Sequence, residues 1–134
     1  CHAKLFLDFF LENWTAVPNS FSDEAYAEYL RCFSNPETVR AMCADYRSVS
    51  LDLAHDDADR GTQLSCPVLV LWGGEMSKRP GWQTGQNLDM MTVWKQRAAN
   101  VRGRALDCGH FIPEEQPDQL VDALFEFFES IEND

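Results

Sequence analysis

The chain has 134 residues, of which 45% are hydrophobic and 25% charged, as expected for one globular domain or part of one. A formal net charge of −11 with only 11 scattered basic residues argues against binding to nucleic acid or to an anionic membrane. The five cysteines are odd in number and form no CxxC spacing, so we expect a reduced, cytoplasmic protein without a disulfide framework or a zinc site. We also expect no cofactor. No apolar run approaches the roughly 20 residues needed to span a bilayer.

The first part of the chain predicts three helices. Residues 5–12 predict a short apolar helix. Ser22 is placed to cap a second helix, which carries acidic residues in its first turn and is expected to end near Phe33. Asn35, followed by a proline, predicts the start of a third helix that extends to about residue 53. The charged sequence HDDADR that follows is interpreted as an exit from the helix into solvent.

The pattern changes near Gly61. From there it alternates between strand and helix: strand 67–72, helix 88–99, strand 101–106 and helix 117–130. The first strand, PVLVLW, is a continuous apolar run, which is typical of a parallel sheet covered on both faces. Residues 77–87 predict a loop rich in glycine and proline. The alternating order predicts a parallel, right-handed crossover between the two strands.

The loop after the second strand contains the residues most suited to chemistry. Gly-His-Phe stands at 109–111, and a proline-rich stretch, PEEQP, follows at 113–117. An apolar strand ending in LWG, then a helix, a strand, Gly-His and a proline-rich loop resembles the end of the α/β-hydrolase fold. The resemblance implies an α/β fold class, namely the C-terminal part of an α/β-hydrolase fold with parallel strands and flanking helices. It places residues 61–134 in that core and residues 1–60 in part of a helical cap domain.

The helical residues show a second resemblance. RCF at 31–33, NP at 35–36, CADYR at 43–47 and HDDADR at 55–60 look like the cap domain of haloacetate and fluoroacetate dehalogenases. Together with the histidine loop, this resemblance covers residues 21–130. It implies hydrolysis of the carbon–halogen bond of a short 2-haloacid. In that family an aspartate nucleophile forms a covalent ester, and a histidine activates the water that hydrolyses it.

Three residues are candidates for the site, each with a competing interpretation. The resemblance makes His110 the catalytic base, which suits an imidazole whose reference pKa is about 6.5, whereas the alternative is a surface loop histidine. Tyr46 of the DYR motif would donate to the departing halide, or would be a core aromatic residue on an amphipathic helix. Glu75 follows the LWGG strand end, where many α/β-hydrolases place the acid of the triad. The dehalogenases have this acid one strand earlier, so a solvated loop carboxylate is the competing interpretation.

The sequence departs from the dehalogenase pattern near its start. Those enzymes have a His-Trp pair that contacts the halide just before a helix with paired phenylalanines. If Phe9 and Phe10 mark that helix, Leu7 and Asp8 stand in place of the pair. Asp8 is an anion that would repel a halide, which weakens the expectation of fluoride specificity.

Two further functions stay open. An epoxide hydrolase or an esterase of the same fold is one, and the cap residues Tyr26, Tyr29 and Tyr46 are available to protonate an epoxide oxygen. An inactive fragment or a non-catalytic interaction module is the other, favoured by Cys1 at the start of the chain. The expected partner is a small-molecule substrate, together with a second copy in a homodimer or a complementing N-terminal half. Without a nucleophile, the 134-residue chain alone is expected to be inactive.

Overall fold

The computed structural model describes residues 2–76 and 89–132. The described elements, in chain order, are α1 (Ala3–Trp14), α2 (Asp23–Phe33), α3 (Pro36–Ala58), β1 (Val68–Gly73), α4 (Met90–Lys95), β2 (Val101–Leu106), α5 (Ile112–Glu115) and α6 (Pro117–Glu132). Within the part of the chain that is described, no helix is both long and apolar enough to cross a bilayer.

The chain divides into two compact units. The first comprises the residues up to Asn13 together with Phe21–Thr62, and the second comprises Trp14–Ser20 together with the residues from Gln63 onward. Trp14–Ser20 therefore belongs with the second unit, although it lies early in the sequence. Whether the units correspond to a cap domain and a hydrolase core, as expected for residues 1–60 and 61–134, stays a prediction.

The first unit is helical, as the sequence predicts, and its helix starts are determined by local capping. The Ser22 hydroxyl accepts a hydrogen bond from the Ala25 N–H at 3.1 Å and begins α2. The Asn35 side chain accepts from the Glu37 N–H at 3.0 Å and begins α3, with a proline at the first helical position.

The predicted end of the third helix, near residue 53, was wrong. Helix α3 continues through the charged HDDA sequence to Ala58, because exposed charged side chains do not interrupt helical hydrogen bonding. The Asp59 N–H still donates to the His55 carbonyl at 2.9 Å. The helix ends at Ala58, and Gly61 shortly after it has a φ of +91°, which lies in the left-handed region that favours glycine.

The second unit contains the two strands, which pair in parallel as predicted. The register runs from Val68 opposite Val101 to Gly73 opposite Leu106. The structure therefore confirms the parallel pairing, whereas the right-handed crossover stays a prediction. Buried hydrophobic side chains of this unit come from the strands, the segment between α4 and β2, the turn after β2 and the last helix: Val70, Ala98, Leu106, Cys108 and Ala123.

Helix α4 is shorter than the sequence predicts. Asp89 caps it by accepting from the Met91 N–H at 3.0 Å, but the helix ends at Lys95 instead of continuing to residue 99. The reason is a strand-like contact, because Leu64 and Ala98 form an isolated parallel bridge that the helical periodicity did not reveal. The predicted loop at 77–87 lies outside the described residues.

Candidate active site

His110 lies on the turn that follows β2, at the carboxyl end of the parallel strands. Leu106 and Cys108 are buried, so the turn starts inside the unit, while the His110 side chain is exposed. The His110 N–H donates to the Trp14 carbonyl oxygen at 2.8 Å. Open parallel sheets place their ligands at this end of the strands, so the structure presents the imidazole where chemistry is expected.

Two aromatic rings lie against the imidazole. The centroid of the Trp14 ring is 4.8 Å from that of His110 with an interplanar angle of 68°, and the Phe111 ring is 5.1 Å away at 89°. Both contacts are edge-to-face, the arrangement that aromatic rings prefer. Together they restrict the directions in which the His110 side chain can point.

Glu75 is connected to the same turn through its backbone. Its N–H donates to the Cys108 carbonyl at 3.1 Å, and the preceding Gly74 N–H donates to the Leu106 carbonyl at 2.8 Å. A Cβ atom on Gly73 would overlap the carbonyl oxygen of Gly109, so the end of β1 touches the turn that bears the histidine. The structure thus brings the Glu75 and His110 segments together, whereas a catalytic role for the Glu75 carboxylate stays a prediction.

Glu115 is a buried carboxylate to which the sequence analysis assigned no function. Its side chain is within α5, and the residue is only 5% exposed. The Oε2 atom accepts from the N–H groups of Ala16 at 2.7 Å, Val17 at 2.9 Å and Gly109 at 2.8 Å, and Oε1 accepts from Phe111 at 3.0 Å. Four backbone donors from two separate segments therefore converge on one side chain.

Burial and hydrogen bonding act in opposite directions on the pKa of Glu115. Burial disfavours the charged form, but the backbone N–H groups outweigh it and hold the pKa below its ordinary value. Next to it, burial raises the pKa of the Cys108 thiol to about 11, and the charges of Glu115 and Asp107 add to that effect. Cys108 is therefore a neutral thiol near pH 7 and is unsuited to act as a nucleophile.

Sequence reasoning missed Glu115 because its partners are far away in the chain. The carboxylate is one of two adjacent acids in the PEEQP stretch, and nothing in that stretch distinguishes it from Glu114. The one available signal, a place between two prolines immediately after the histidine loop, applies equally to Glu114.

Tyr46 lies on α3, in the first unit, whereas His110 and Glu75 lie in the second. It is 63% exposed, so it is not packed as a core aromatic residue among the described parts of its unit. Its hydroxyl group is thus accessible to a ligand, and its role as a halide contact stays a prediction.

Asp8, which stands where the dehalogenases have part of their His-Trp pair, is bound by two side chains of the first unit. Lys4 donates to Oδ2 at 2.7 Å, and the Tyr26 hydroxyl donates to Oδ1 at 2.6 Å. The hydrogen bonds from Lys4 and then Tyr26 lower the pKa of Asp8, so the carboxylate is ionised. Because the Tyr26 hydroxyl already donates a hydrogen bond to Asp8, Tyr26 is a poorer hydrogen-bond donor for a substrate than the exposed Tyr46.

The described residues contain no group of three or more His, Cys, Asp or Glu side chains placed to hold a metal ion. The imidazole of His110 is suited to acid–base chemistry, and tyrosine hydroxyls can donate hydrogen bonds.

Comparisons with known proteins identify relatives over most of the chain. No family model matches it. It is 37% identical over 112 residues to a soluble epoxide hydrolase of Corynebacterium sp. (strain C12), which covers 83% of this chain and 36% of the relative. It is 33% identical over 121 residues to a fluoroacetate dehalogenase of Burkholderia sp, which covers 87% of this chain and 37% of that enzyme.

A solved structure agrees with these relatives. An α/β-hydrolase-fold protein from Nostoc sp PCC 7120 superposes with a TM-score of 0.83 at 40% identity, over 93% of this chain and 41% of that one. The chain thus spans little more than a third of the length of the two enzymes it matches, and it corresponds to the C-terminal part of their fold. The fold class predicted from the histidine loop is confirmed. The chain therefore belongs to the α/β-hydrolase superfamily, and its relatives include epoxide hydrolases and fluoroacetate dehalogenases.

Proposed function

We propose that the protein containing this chain is a hydrolase in which His110 activates the water that hydrolyses a covalent ester intermediate. The observation that carries this proposal is the exposed imidazole on a turn held at the carboxyl end of β2. A neutral imidazole is a base suited to accepting a proton from water near neutral pH. The nucleophile is an aspartate in the part of the protein that corresponds to the region of the relatives that this chain does not span.

The reaction has two balanced steps. In the first, the aspartate carboxylate attacks the carbon that bears the leaving group, the carbon–halogen bond breaks, and the halide departs with the bonding electrons. In the second, His110 takes a proton from water while the water oxygen attacks the ester carbonyl. The ester carbon–oxygen bond then breaks, and the departing oxygen takes the second proton of the water. This releases the hydroxy acid and leaves the aspartate as a carboxylate, and His110 passes its own proton to solvent.

Short 2-haloacids are the proposed substrates, with Tyr46 donating to the departing halide. The accessible hydroxyl group of Tyr46 and the 33% identity to a fluoroacetate dehalogenase support this assignment. A phenol can donate one hydrogen bond to a small anion without adding a charge to the pocket.

An epoxide is the second candidate substrate, favoured by Asp8 and by the 37% identity to an epoxide hydrolase. An ionised carboxylate is unfavourable beside a departing halide but does not exclude an uncharged epoxide. The same aspartate would open the ring, and Tyr46 would protonate the epoxide oxygen. An esterase would instead need a serine as the nucleophile.

The test uses the whole protein encoded around this chain. Fluoride or chloride release from fluoroacetate and chloroacetate is measured beside diol formation from styrene oxide. With either substrate, His110→Gln should block the second step, so intact-protein mass spectrometry should detect the accumulated ester. His55→Gln is the matched control, since His55 lies exposed in the last turn of α3. Turnover of neither substrate, or wild-type turnover by His110→Gln, would contradict the proposal.

A further inference from the structure

Glu115 connects the turn that bears His110 to a distant segment of the chain. Two of its four donors, Gly109 and Phe111, are the immediate neighbours of His110 in the sequence. The other two, Ala16 and Val17, lie 99 and 98 positions earlier in the sequence than Glu115. One carboxylate therefore holds both sides of the histidine and the segment against which the turn packs.

That early segment also contacts His110 directly. The Trp14 carbonyl accepts from the His110 N–H at 2.8 Å, and the Trp14 ring lies 4.8 Å from the imidazole. A displacement of residues 14–17 relative to the turn would change both the backbone position and the ring contact of the histidine. Glu115 is the side chain whose hydrogen bonds resist that displacement.

The space around the turn leaves little room for adjustment. A Cβ atom on Gly109 would overlap the Trp14 carbonyl oxygen and would lie 2.7 Å from the Ala16 nitrogen and 2.9 Å from Oε1 of Glu115. Glycine has no Cβ and so permits this close approach, and N–H groups of both segments donate to Glu115. An N–H group left without an acceptor there would carry a desolvation cost.

Only a carboxylate can satisfy all four donors. Both of its oxygens are acceptors, whereas the amide of a glutamine has one oxygen and one NH₂ group. Whichever way that amide is turned, its NH₂ group would face at least one backbone N–H. Glutamine therefore preserves the size of Glu115 and removes the acceptor arrangement, which makes Glu115→Gln a specific probe.

We propose that Glu115 is a positioning residue that orients His110 for the attack of water on the ester. The inference rests on the proposed function, because it assumes that His110 activates that water. Glu115 acts through the backbone at Gly109 and Phe111 and through the Trp14–Val17 segment, and it does not touch the substrate. A displaced imidazole would slow the second step more than the first, since the first step does not need a base.

The kinetic test compares Glu115→Gln with Glu126→Gln in the whole protein. Glu126 forms an exposed ion pair with Arg104, and its replacement by glutamine removes one negative charge just as Glu115→Gln does. Glu126→Gln therefore controls for the loss of one charge. We expect Glu115→Gln to lower kcat on the order of 10- to 100-fold, because small displacements of a catalytic group cost that much. The covalent ester should accumulate in this variant, while Glu126→Gln should behave as wild type. Wild-type kcat without ester accumulation in Glu115→Gln would overturn the inference.

A second measurement needs neither activity nor a variant that folds. In the wild-type protein, the amide chemical shifts of Ala16, Val17, Gly109 and Phe111 should move together, with one midpoint, as Glu115 is protonated in acid. The neighbouring Cys108 thiol stays neutral in that range. The other titratable neighbours of the turn, Asp107, His110 and Glu114, adjoin Gly109 and Phe111 in the chain, so the test is a transition that all four amides have in common. Independent midpoints would overturn the inference even if the protein is an active hydrolase. A shared midpoint in a protein that turns over neither substrate would instead support the shared hydrogen bonding of the four amides to Glu115 and reject the proposed function.

Discussion

The two units differ in the range of the contacts that hold them together. In the first, Leu7 is the single fully buried hydrophobic side chain among the described residues, and ion pairs such as Lys4–Asp8 and Arg31–Glu28 join residues one helical turn apart. In the second, the strands, the segment before β2, the turn and the last helix together supply the other buried hydrophobic side chains. Glu115 joins segments almost a hundred residues apart. Substitutions in the second unit should therefore have larger effects than comparable substitutions in the first.

The largest effect is expected from Gly109→Ala. The added Cβ would overlap the Trp14 carbonyl oxygen, and a backbone atom cannot move aside as a flexible side chain can. We expect a loss of about 3 kcal/mol or more in the free energy of unfolding, measured by urea denaturation of the whole protein. Gly74→Ala is the matched control, because its Cβ would lie 3.2 Å from the nearest atom, the Leu106 carbonyl oxygen. Equal costs for the two substitutions would show that the turn has room to relax.

The second effect is the dependence of stability on pH through Glu115. Its pKa in the folded protein lies below the ordinary value of 4.5, so the carboxylate stabilises the fold fully above that value. As the pH falls from 4.5 through the lowered pKa, Glu115 is protonated and this contribution disappears. Wild type should be more stable than Glu115→Gln by about 2 kcal/mol at pH 7, and the difference should narrow below pH 4.5.

Denaturation of both proteins at pH 7, 5, 4 and 3 measures that difference. Glu126→Gln again serves as the control, because its exposed ion pair with Arg104 should contribute less than about 1 kcal/mol at any of these pH values. If the difference in the free energy of unfolding between wild type and Glu115→Gln stays constant down to pH 3, Glu115 does not titrate as its hydrogen bonds imply.

The difference between short-range and long-range contacts also explains which features the sequence could predict. Ser22 and Asn35 bind N–H groups two or three residues away, so their capping roles are readable from a short stretch of sequence. The parallel pairing of β1 and β2 followed from element order, and the histidine turn followed from the resemblance. The early end of α4 depends on Leu64, and the burial of Glu115 depends on Ala16 and Val17, so neither was visible in a local pattern.

Capping of α2 offers a smaller and strictly local effect in the first unit. Ser22→Ala removes the hydroxyl acceptor of the Ala25 N–H and should cost about 1 kcal/mol. Ser22→Gly should cost only a few tenths of a kcal/mol, because glycine is tolerated at this position. Urea denaturation of both variants measures the difference. A cost for Ser22→Ala as large as that for Gly109→Ala would remove the distinction between the two units.

The smallest effect on stability is expected from Tyr46→Phe. Because Tyr46 is 63% exposed, loss of its hydroxyl group should change the free energy of unfolding by less than about 0.5 kcal/mol. Tyr26→Phe should cost more, since it breaks the 2.6 Å hydrogen bond to Asp8. The order should reverse in turnover by the whole protein, where Tyr46→Phe should lower activity by weakening the donor to the leaving group. If both substitutions lower turnover only in proportion to stability, Tyr46 is a surface residue and the leaving group is stabilised elsewhere.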